Sequence, residues 1–184
     1  MNSAKRAATR HLSSDGIRLH RHGLSDVTVA VLALLTALPA VAATKTVDCA
    51  STAWASATCW NPDGVPVAGD VVHVLPVGTS TTTLTIASGT NAAAASLDVD
   101  STTGTVAQVN MSGGALTLTG AYMVGVSGSG VGAQSGGALT ASSLQIGPYA
   151  GSTGSFTFGG ASSTMALSQL YVGLRGNGSF IMGN

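Results

Sequence analysis

Residues 113–117 and 136–140 both read Gly-Gly-Ala-Leu-Thr, and a third glycine pair follows at 159–160. The pairs begin at evenly spaced positions, Gly113, Gly136 and Gly159, and Gly183 continues the series. Self-similarity at a period of about 20 to 50 residues is the signature of a repeat architecture. The second half of the chain is therefore predicted to be a stack of repeating units.

A second glycine landmark runs through the same region, at the ends of Val124-Gly125, Ile146-Gly147 and Val172-Gly173. Between the landmarks lie short alternating pieces such as Phe156-Thr157-Phe158, which are typical of strands and lack a helical period. Three strands of about four to five residues with their turns account for a unit of about 22–26 residues. This content predicts an all-β fold, a parallel β-helix or β-solenoid, in which the glycines serve the turns.

The predicted repeats extend over residues 79–184, with more degenerate rungs in 79–111. Two other repeat classes do not fit this region. The leucine-rich pattern is missing, and the calcium-binding G-G-x-G-x-D repeat is excluded because no aspartate follows Asp100.

The first 43 residues have the pattern of a secretory signal peptide with a signal helix. Residues 1–26 have a net charge of +3, an uncharged apolar run spans Val27 to Leu38, and 39–43 read Pro-Ala-Val-Ala-Ala. A positive segment, a short apolar stretch and a small-residue exit define an export signal. Twelve helical residues rise about 18 Å, which is short of the bilayer core. An uncleaved anchor and a buried helix are the alternatives, and no membrane span is expected in the mature chain.

Without this leader, the chain from Thr44 onward contains seven charged side chains and no glutamate, with a net charge of −3. Disordered chains are rich in charge, and nucleic-acid binding needs a basic face. Both classes are therefore excluded, and no nucleic-acid partner is expected.

Residues 44–78 are predicted to form an N-terminal cap and the first strand. Cys49 and Cys59 are the sole cysteines, and an even count in an exported chain favours a disulfide. Two free cysteines are the alternative; a zinc site would need four ligands, and His73 is the sole histidine beyond the leader. Trp54 and Trp60 are expected to cover the open end of a core that is otherwise built from small residues, and an exposed platform for sugars is the alternative.

The same segment carries the spacing W-x5-W-x3-G-x-P-x2-G-D-x-V, formed by Trp54, Trp60, Gly64, Pro66, Gly69, Asp70 and Val72. It resembles the opening of bacterial secreted β-helix and autotransporter passenger proteins. The rungs, in the form V-G-x-x-G-x-G-x-F-x-x-G, resemble the strand-loop-strand repeats of the same passengers, and the resemblance covers roughly residues 51–184. The resemblance implies a right-handed parallel β-helix that is displayed at the outer membrane of a Gram-negative bacterium. It further implies a structural cap formed by Trp54, Trp60, Gly64, Pro66, Gly69 and Asp70. It also implies a translocator barrel, so the chain is expected to be truncated.

Few residues offer chemistry. Asp98 and Asp100 are the one carboxylate pair with glycosidase-like spacing, but both are expected to be solvated on an outer face. His73 is also placed on the solvated face, and Arg175 lies in a loop without acidic neighbours. Tyr122, Tyr149 and Tyr171 are candidates for a stripe of surface residues that contact a partner. The alternative is that their spacing only reflects the rung period. No catalytic, cofactor-binding or metal-binding residue is predicted.

These observations predict an exported, surface-displayed β-solenoid that acts as an adhesin or passenger scaffold and is not an enzyme. Host or cell-surface glycans or proteins are the expected partners. The alternatives are a carbohydrate-active β-helix enzyme (a lyase or hydrolase) and an extracellular matrix repeat protein.

Overall fold

The computed structural model describes residues 41–101 and 104–183. The predicted signal helix lies outside these residues. The described chain is all-β, with thirteen strands and one 3-10 turn at Ala57–Cys59. The strands are β1 Thr44–Val47, β2 Ser51–Ala53, β3 Trp60–Asn61, β4 Val71–Val74, β5 Thr82–Ile86, β6 Asn91–Ala94, β7 Ser96–Val99, β8 Ala107–Leu118, β9 Ala121–Val124, β10 Ser129–Ile146, β11 Thr153–Phe158, β12 Ser163–Val172 and β13 Asn177–Met182.

The strands wind into a β-solenoid of about six turns, so the predicted fold class is confirmed. Three faces follow from the parallel pairing. Face A stacks β1, β4, β7, β9, residues 143–146 of β10 and 169–172 of β12. Face B stacks β2, β5, residues 107–111 of β8, 129–134 of β10, β11 and β13. Face C stacks β6, residues 115–118 of β8, 137–141 of β10 and 163–167 of β12.

The register agrees with the predicted rung length. On face A, Tyr122 pairs with Leu144, and Leu144 pairs with Leu170, so the steps between rungs match those of the second glycine landmark. The two glycine landmarks lie at the corners: Gly137 has a φ of +80° where face B passes into face C, and Gly147 has a φ of +61° where face A ends. Glycine adopts this conformation without the steric cost of a side chain, which explains why the sequence period is carried by glycines.

The strands are longer than the four to five residues that the sequence predicts. β8 has 12 residues and β10 has 18, so a single strand continues around one or two corners. The ladder between β8 and β10 shifts register on either side of Gly136, which is how the chain bends without leaving the sheet. The prediction of separate short strands is therefore wrong for these rungs.

The core is a set of columns in which each inward side chain lies on its counterpart one rung away. Faces A, B and C contribute mainly Val, Leu, Ile and Ala, and these side chains form one buried cluster. Three aromatic rings cross the later rungs. Tyr122 contacts Phe156 edge-on at 5.7 Å, and Phe156 stacks on Phe180 at 6.0 Å. Aromatic pairs at these separations stabilise a core beyond the area that they bury.

Gly132 belongs to this core, so the expectation that the glycines serve turns is wrong for it. It lies within β10 and pairs with Val109 on one side and Phe156 on the other. A Cβ atom at this position would overlap the Phe156 ring and would lie 3.2 Å from the Tyr122 hydroxyl. The missing side chain is what gives the two rings their space.

We expect Gly132→Ala to lower the free energy of unfolding by about 1–3 kcal/mol, because the added methyl group overpacks the aromatic cluster. Urea unfolding checks this value. Gly69→Ala is the matched control, since a Cβ atom there would meet its nearest neighbour, Ala42, at an ordinary 3.6 Å. Equal stability of Gly132→Ala and the wild type would contradict the packing argument.

Candidate functional site

The N-terminal end of the solenoid is covered by the two tryptophans. Trp54 and Trp60 are both buried, and their rings meet edge-on at 5.5 Å. The Trp60 indole N–H donates a hydrogen bond of 3.0 Å to the Trp54 carbonyl oxygen. β3, which contains Trp60, pairs antiparallel with β1 and so departs from the parallel order of the faces. The rings and β3 together occupy the place that a preceding rung would take.

Lys45 is a member of this end that sequence reasoning missed. It pairs with Val72 at the first position of an inward column on face A, and it is buried. Its ammonium donates to the carbonyl oxygens of Pro62 and Asp63, both at 2.9 Å. The column therefore ends in a cation that holds the turn after β3. The alternation of Lys45 with Val47 was the signal that could have placed it inward.

Cys49 and Cys59 form a disulfide with a Cα–Cα distance of 5.2 Å, as the sequence predicts. The bridge joins the chain after β1 to the 3-10 turn that precedes β3. Beside it, the Asp48 N–H donates to the Cys59 carbonyl oxygen at 3.1 Å. The bridge therefore fixes the segment that presents Trp60 to the core.

The other predicted cap residues lie in the connection from β3 to β4. Gly64 has a φ of +109°, and a Cβ atom there would lie 3.3 Å from the Lys45 ammonium. Pro66 is buried, and Gly69 is exposed. The buried Asp70 carboxylate accepts hydrogen bonds from the N–H groups of Ala43 at 2.8 Å and Val67 at 2.9 Å. Asp70 thus ties this connection to the entry of β1.

A second buried aspartate ties two later segments together. The Asp100 carboxylate accepts hydrogen bonds from the N–H groups of Val126, Ser127 and Gly128 at 2.9–3.0 Å and from the Ser127 hydroxyl at 2.6 Å. Burial alone raises the pKa of Asp100, but these four donors outweigh it and hold the pKa below its ordinary value. The expectation of a solvated Asp100 is therefore wrong: the residue clamps the corner between β9 and β10.

Asp98 takes a different environment from Asp100. Its carboxylate lies 3.3 Å from His73 Nδ1, on the neighbouring strand of face A. Its second oxygen is buried without a hydrogen-bond partner. Burial raises the pKa of Asp98 above its ordinary value, the neighbouring His73 lowers it and Asp100 adds to the increase. The two aspartates thus have different partners, and Asp98 is half-buried, whereas Asp100 is buried.

Gln134 is a buried polar residue that the sequence did not reveal. Its amide nitrogen donates to the carbonyl oxygens of Gly137 and Thr164, each at 2.9 Å. It therefore holds a glycine corner of one rung against the next rung. Its register neighbours are Met111 and Phe158, so no repeated signal marks the position.

The tyrosines do not form a stripe. Tyr122 is buried in the aromatic cluster, whereas Tyr149 is half exposed in the corner that follows Gly147. Arg175 is exposed in the neighbouring corner, where the Gly176 N–H donates to the Gly147 carbonyl oxygen at 3.1 Å. Tyr171 is half-buried on face A, where it pairs with Gln145. The inward position of Tyr122 separates it from Tyr149 and Tyr171.

Within residues 41–101 and 104–183, no group of three or more His, Cys, Asp or Glu side chains could hold a metal ion. In the same ranges, no helical segment has the length and hydropathy that a bilayer crossing requires. No family model, curated protein or solved structure matches this chain.

We expect the double variant Cys49→Ala/Cys59→Ala to lose about 2–3 kcal/mol of unfolding free energy, because the bridge closes a short loop in the unfolded chain. Denaturant unfolding gives the value. Reductant should destabilise the wild type by the same amount and leave the variant unchanged. A wild type that is indifferent to reductant would contradict a stabilising role for the bridge.

We expect Asp100→Asn to cost about 1–3 kcal/mol at neutral pH, because an amide cannot accept all four hydrogen bonds. Since the pKa of Asp100 is lowered by folding, its contribution is present above the unfolded pKa of about 3.9 and is lost as pH falls through the folded value. Unfolding of wild type and variant from pH 7 to pH 2 should show the difference shrink on acidification. The exposed Asp63, as Asp63→Asn, is the control, and a difference independent of pH would contradict the assignment.

Proposed function

We propose that this chain is an exported β-solenoid that acts as a surface-displayed scaffold or adhesin of the autotransporter-passenger kind. The observation that carries the proposal is the disulfide-closed cap, Cys49–Cys59, at the start of a solenoid. Disulfides persist in oxidising compartments outside the cytoplasm. The export pattern of residues 1–43 precedes this cap and supports the same compartment.

The outer faces of the solenoid support a role in presenting uncharged hydrogen-bonding groups to partners. Their exposed positions are mainly Ser, Thr, Asn, Gln and Ala, for example Thr117 and Thr140 in one register line of face C. About six rungs at about 4.8 Å each give a rod about 30 Å long. Such a rod holds many uncharged hydrogen-bonding groups at fixed spacings. We propose cell-surface glycans or proteins as the partners of these faces.

The proposal is tested by producing the full chain, fused ahead of a translocator barrel, in a Gram-negative host and sequencing the N-terminus of the exported product. We expect cleavage at or near Ala43, oxidised Cys49–Cys59 in the product, and access of externally added protease to a tag inserted beside Gly151. Gly151 suits the tag because a Cβ atom there would meet nothing within 4 Å.

Leu34→Arg, which breaks the apolar run, should leave an unprocessed chain with reduced cysteines inside the cell. Leu12→Arg adds the same charge ahead of the run and is the matched control, for which normal processing is expected. A wild-type chain that stays unprocessed in the cytoplasm would overturn the proposal of export, and one confined to the periplasm would overturn that of surface display.

A further inference from the structure

Face A carries one outward row of side chains that differs from the other outer rows. The side chains that share this register line are, from the N-terminal end, Thr46, His73, Asp98, Met123, Gln145 and Tyr171. Its middle holds an imidazole, a carboxylate and a thioether on three consecutive rungs. An outward row of face B, by contrast, contains Thr83, Gln108, Val131 and Ser155. The row on face A therefore brings together three side chains that ligate metal ions.

The first two of these side chains stand at the separation of two ligands that share an ion. His73 and Asp98 are 32% and 14% exposed, and 3.3 Å separates Nδ1 of His73 from Oδ2 of Asp98. This distance is longer than the roughly 2.7–2.9 Å of a charge-assisted N–H···O bond. Two ligand atoms that each lie about 2.0–2.1 Å from one ion, at angles between square and tetrahedral, are about 2.9–3.4 Å apart. The pair therefore has the spacing of one edge of a coordination shell.

The Asp98 carboxylate is short of partners. Its Oδ1 atom is buried without a hydrogen-bond partner. The buried carboxylates of Asp70 and Asp100, by contrast, accept hydrogen bonds from two and three backbone N–H groups. Burial raises the pKa of Asp98, and the neighbouring His73 only opposes this increase. A buried carboxylate without donors is unfavourable, and a cation beside Asp98 supplies the charge that its surroundings lack.

Met123 supplies a third ligand. It is the register partner of Asp98 on the next rung, and its side chain is outward and half-buried. Neighbouring strands lie about 4.8 Å apart, and the methionine side chain has three rotatable bonds, so its sulfur can reach an ion held by Asp98 and His73. A thioether is a soft ligand that selects copper, and an imidazole also suits copper. The donor set therefore favours copper over magnesium, calcium or zinc.

We propose that His73, Asp98 and Met123 bind one copper ion on face A, through an imidazole nitrogen, a carboxylate oxygen and the thioether sulfur. Because the described residues hold no cluster of three His, Cys, Asp or Glu side chains, the thioether is needed to complete the site. The ligands come from β4, β7 and β9, so the site exists only when these rungs are stacked. The inference goes beyond the proposed scaffold function and does not depend on export.

Copper titration of the full chain tests the proposal. Three leader substitutions, His11→Asn, His20→Asn and His22→Asn, make His73 the one imidazole of the chain. We expect one Cu(II) ion per chain and an electron paramagnetic resonance spectrum with coupling to an imidazole nitrogen. His73→Asn should abolish this coupling and weaken binding at least about tenfold, and Asp98→Asn should weaken binding by a similar factor. The exposed Asp63→Asn is the matched control, for which unchanged binding is expected.

The thioether is tested with Cu(I), kept reduced by ascorbate, and with Zn(II) for comparison. Met123→Leu keeps the bulk of the side chain and removes the sulfur, so it should weaken Cu(I) binding at least about tenfold and leave Zn(II) binding unchanged. Met182→Leu, at the exposed end of β13, should change neither affinity.

The nitrogen coupling is measured without any substitution in the site, so the test stands even where a site variant does not fold. A spectrum without imidazole coupling would overturn the proposal. Equal copper affinity of His73→Asn and its parent, or Cu(I) affinity that Met123→Leu leaves unchanged, would contradict it as well.

Discussion

Parallel, in-register stacking is the constraint on which this structure depends. Each rung finds hydrogen-bond partners for its backbone, and cover for its inward side chains, in the rungs above and below. No rung is stable by itself, and any position at which the chain departs from the register has to be compensated locally. The glycine corners are one such compensation, because they turn the chain while the ladder with the neighbouring rung continues.

Buried polar groups secure the stack where the ladder is weakest. Asp70 and Asp100 accept hydrogen bonds from backbone N–H groups at corners, and Gln134 donates to carbonyl oxygens of its own rung and the next. Three of these bonds, from Ala43 to Asp70, from Val126 to Asp100 and from Gln134 to Thr164, join residues that are 27, 26 and 30 positions apart in sequence and adjacent in the stack. Three of the seven charged residues of the described chain, Lys45, Asp70 and Asp100, are buried and bind backbone groups in this way. Few charges are left for the outer faces, which suits these faces to presenting uncharged hydrogen-bonding groups.

The period of the glycines and apolar residues was enough to predict the β-solenoid, the rung length and the inward columns. The same period did not predict the inward positions of Gly132, Lys45 and Gln134. The sequence does not distinguish a glycine that packing requires inside a strand from a glycine that a corner requires. Gly132 is of the first kind because the Phe156 ring, one rung away, occupies the space of its side chain. An inward lysine is unfavourable by itself, and the sequence does not show that the carbonyl oxygens of Pro62 and Asp63 accept hydrogen bonds from its ammonium.

The alternation of residues along a strand determined by itself which side chains point inward, because successive side chains of a strand point to opposite faces. The sequence alone also placed the two cysteines in one short loop and left only three charged side chains, Asp98, Asp100 and Arg175, in the repeats. The tertiary structure alone decided which partner each polar group meets, as in the contrast between Asp98, beside His73, and Asp100, beneath the corner at Ser127. The physical reason is that a residue's neighbours in a solenoid come from the rungs above and below, a full repeat away along the chain. Small differences in corner length change which atoms those rungs present.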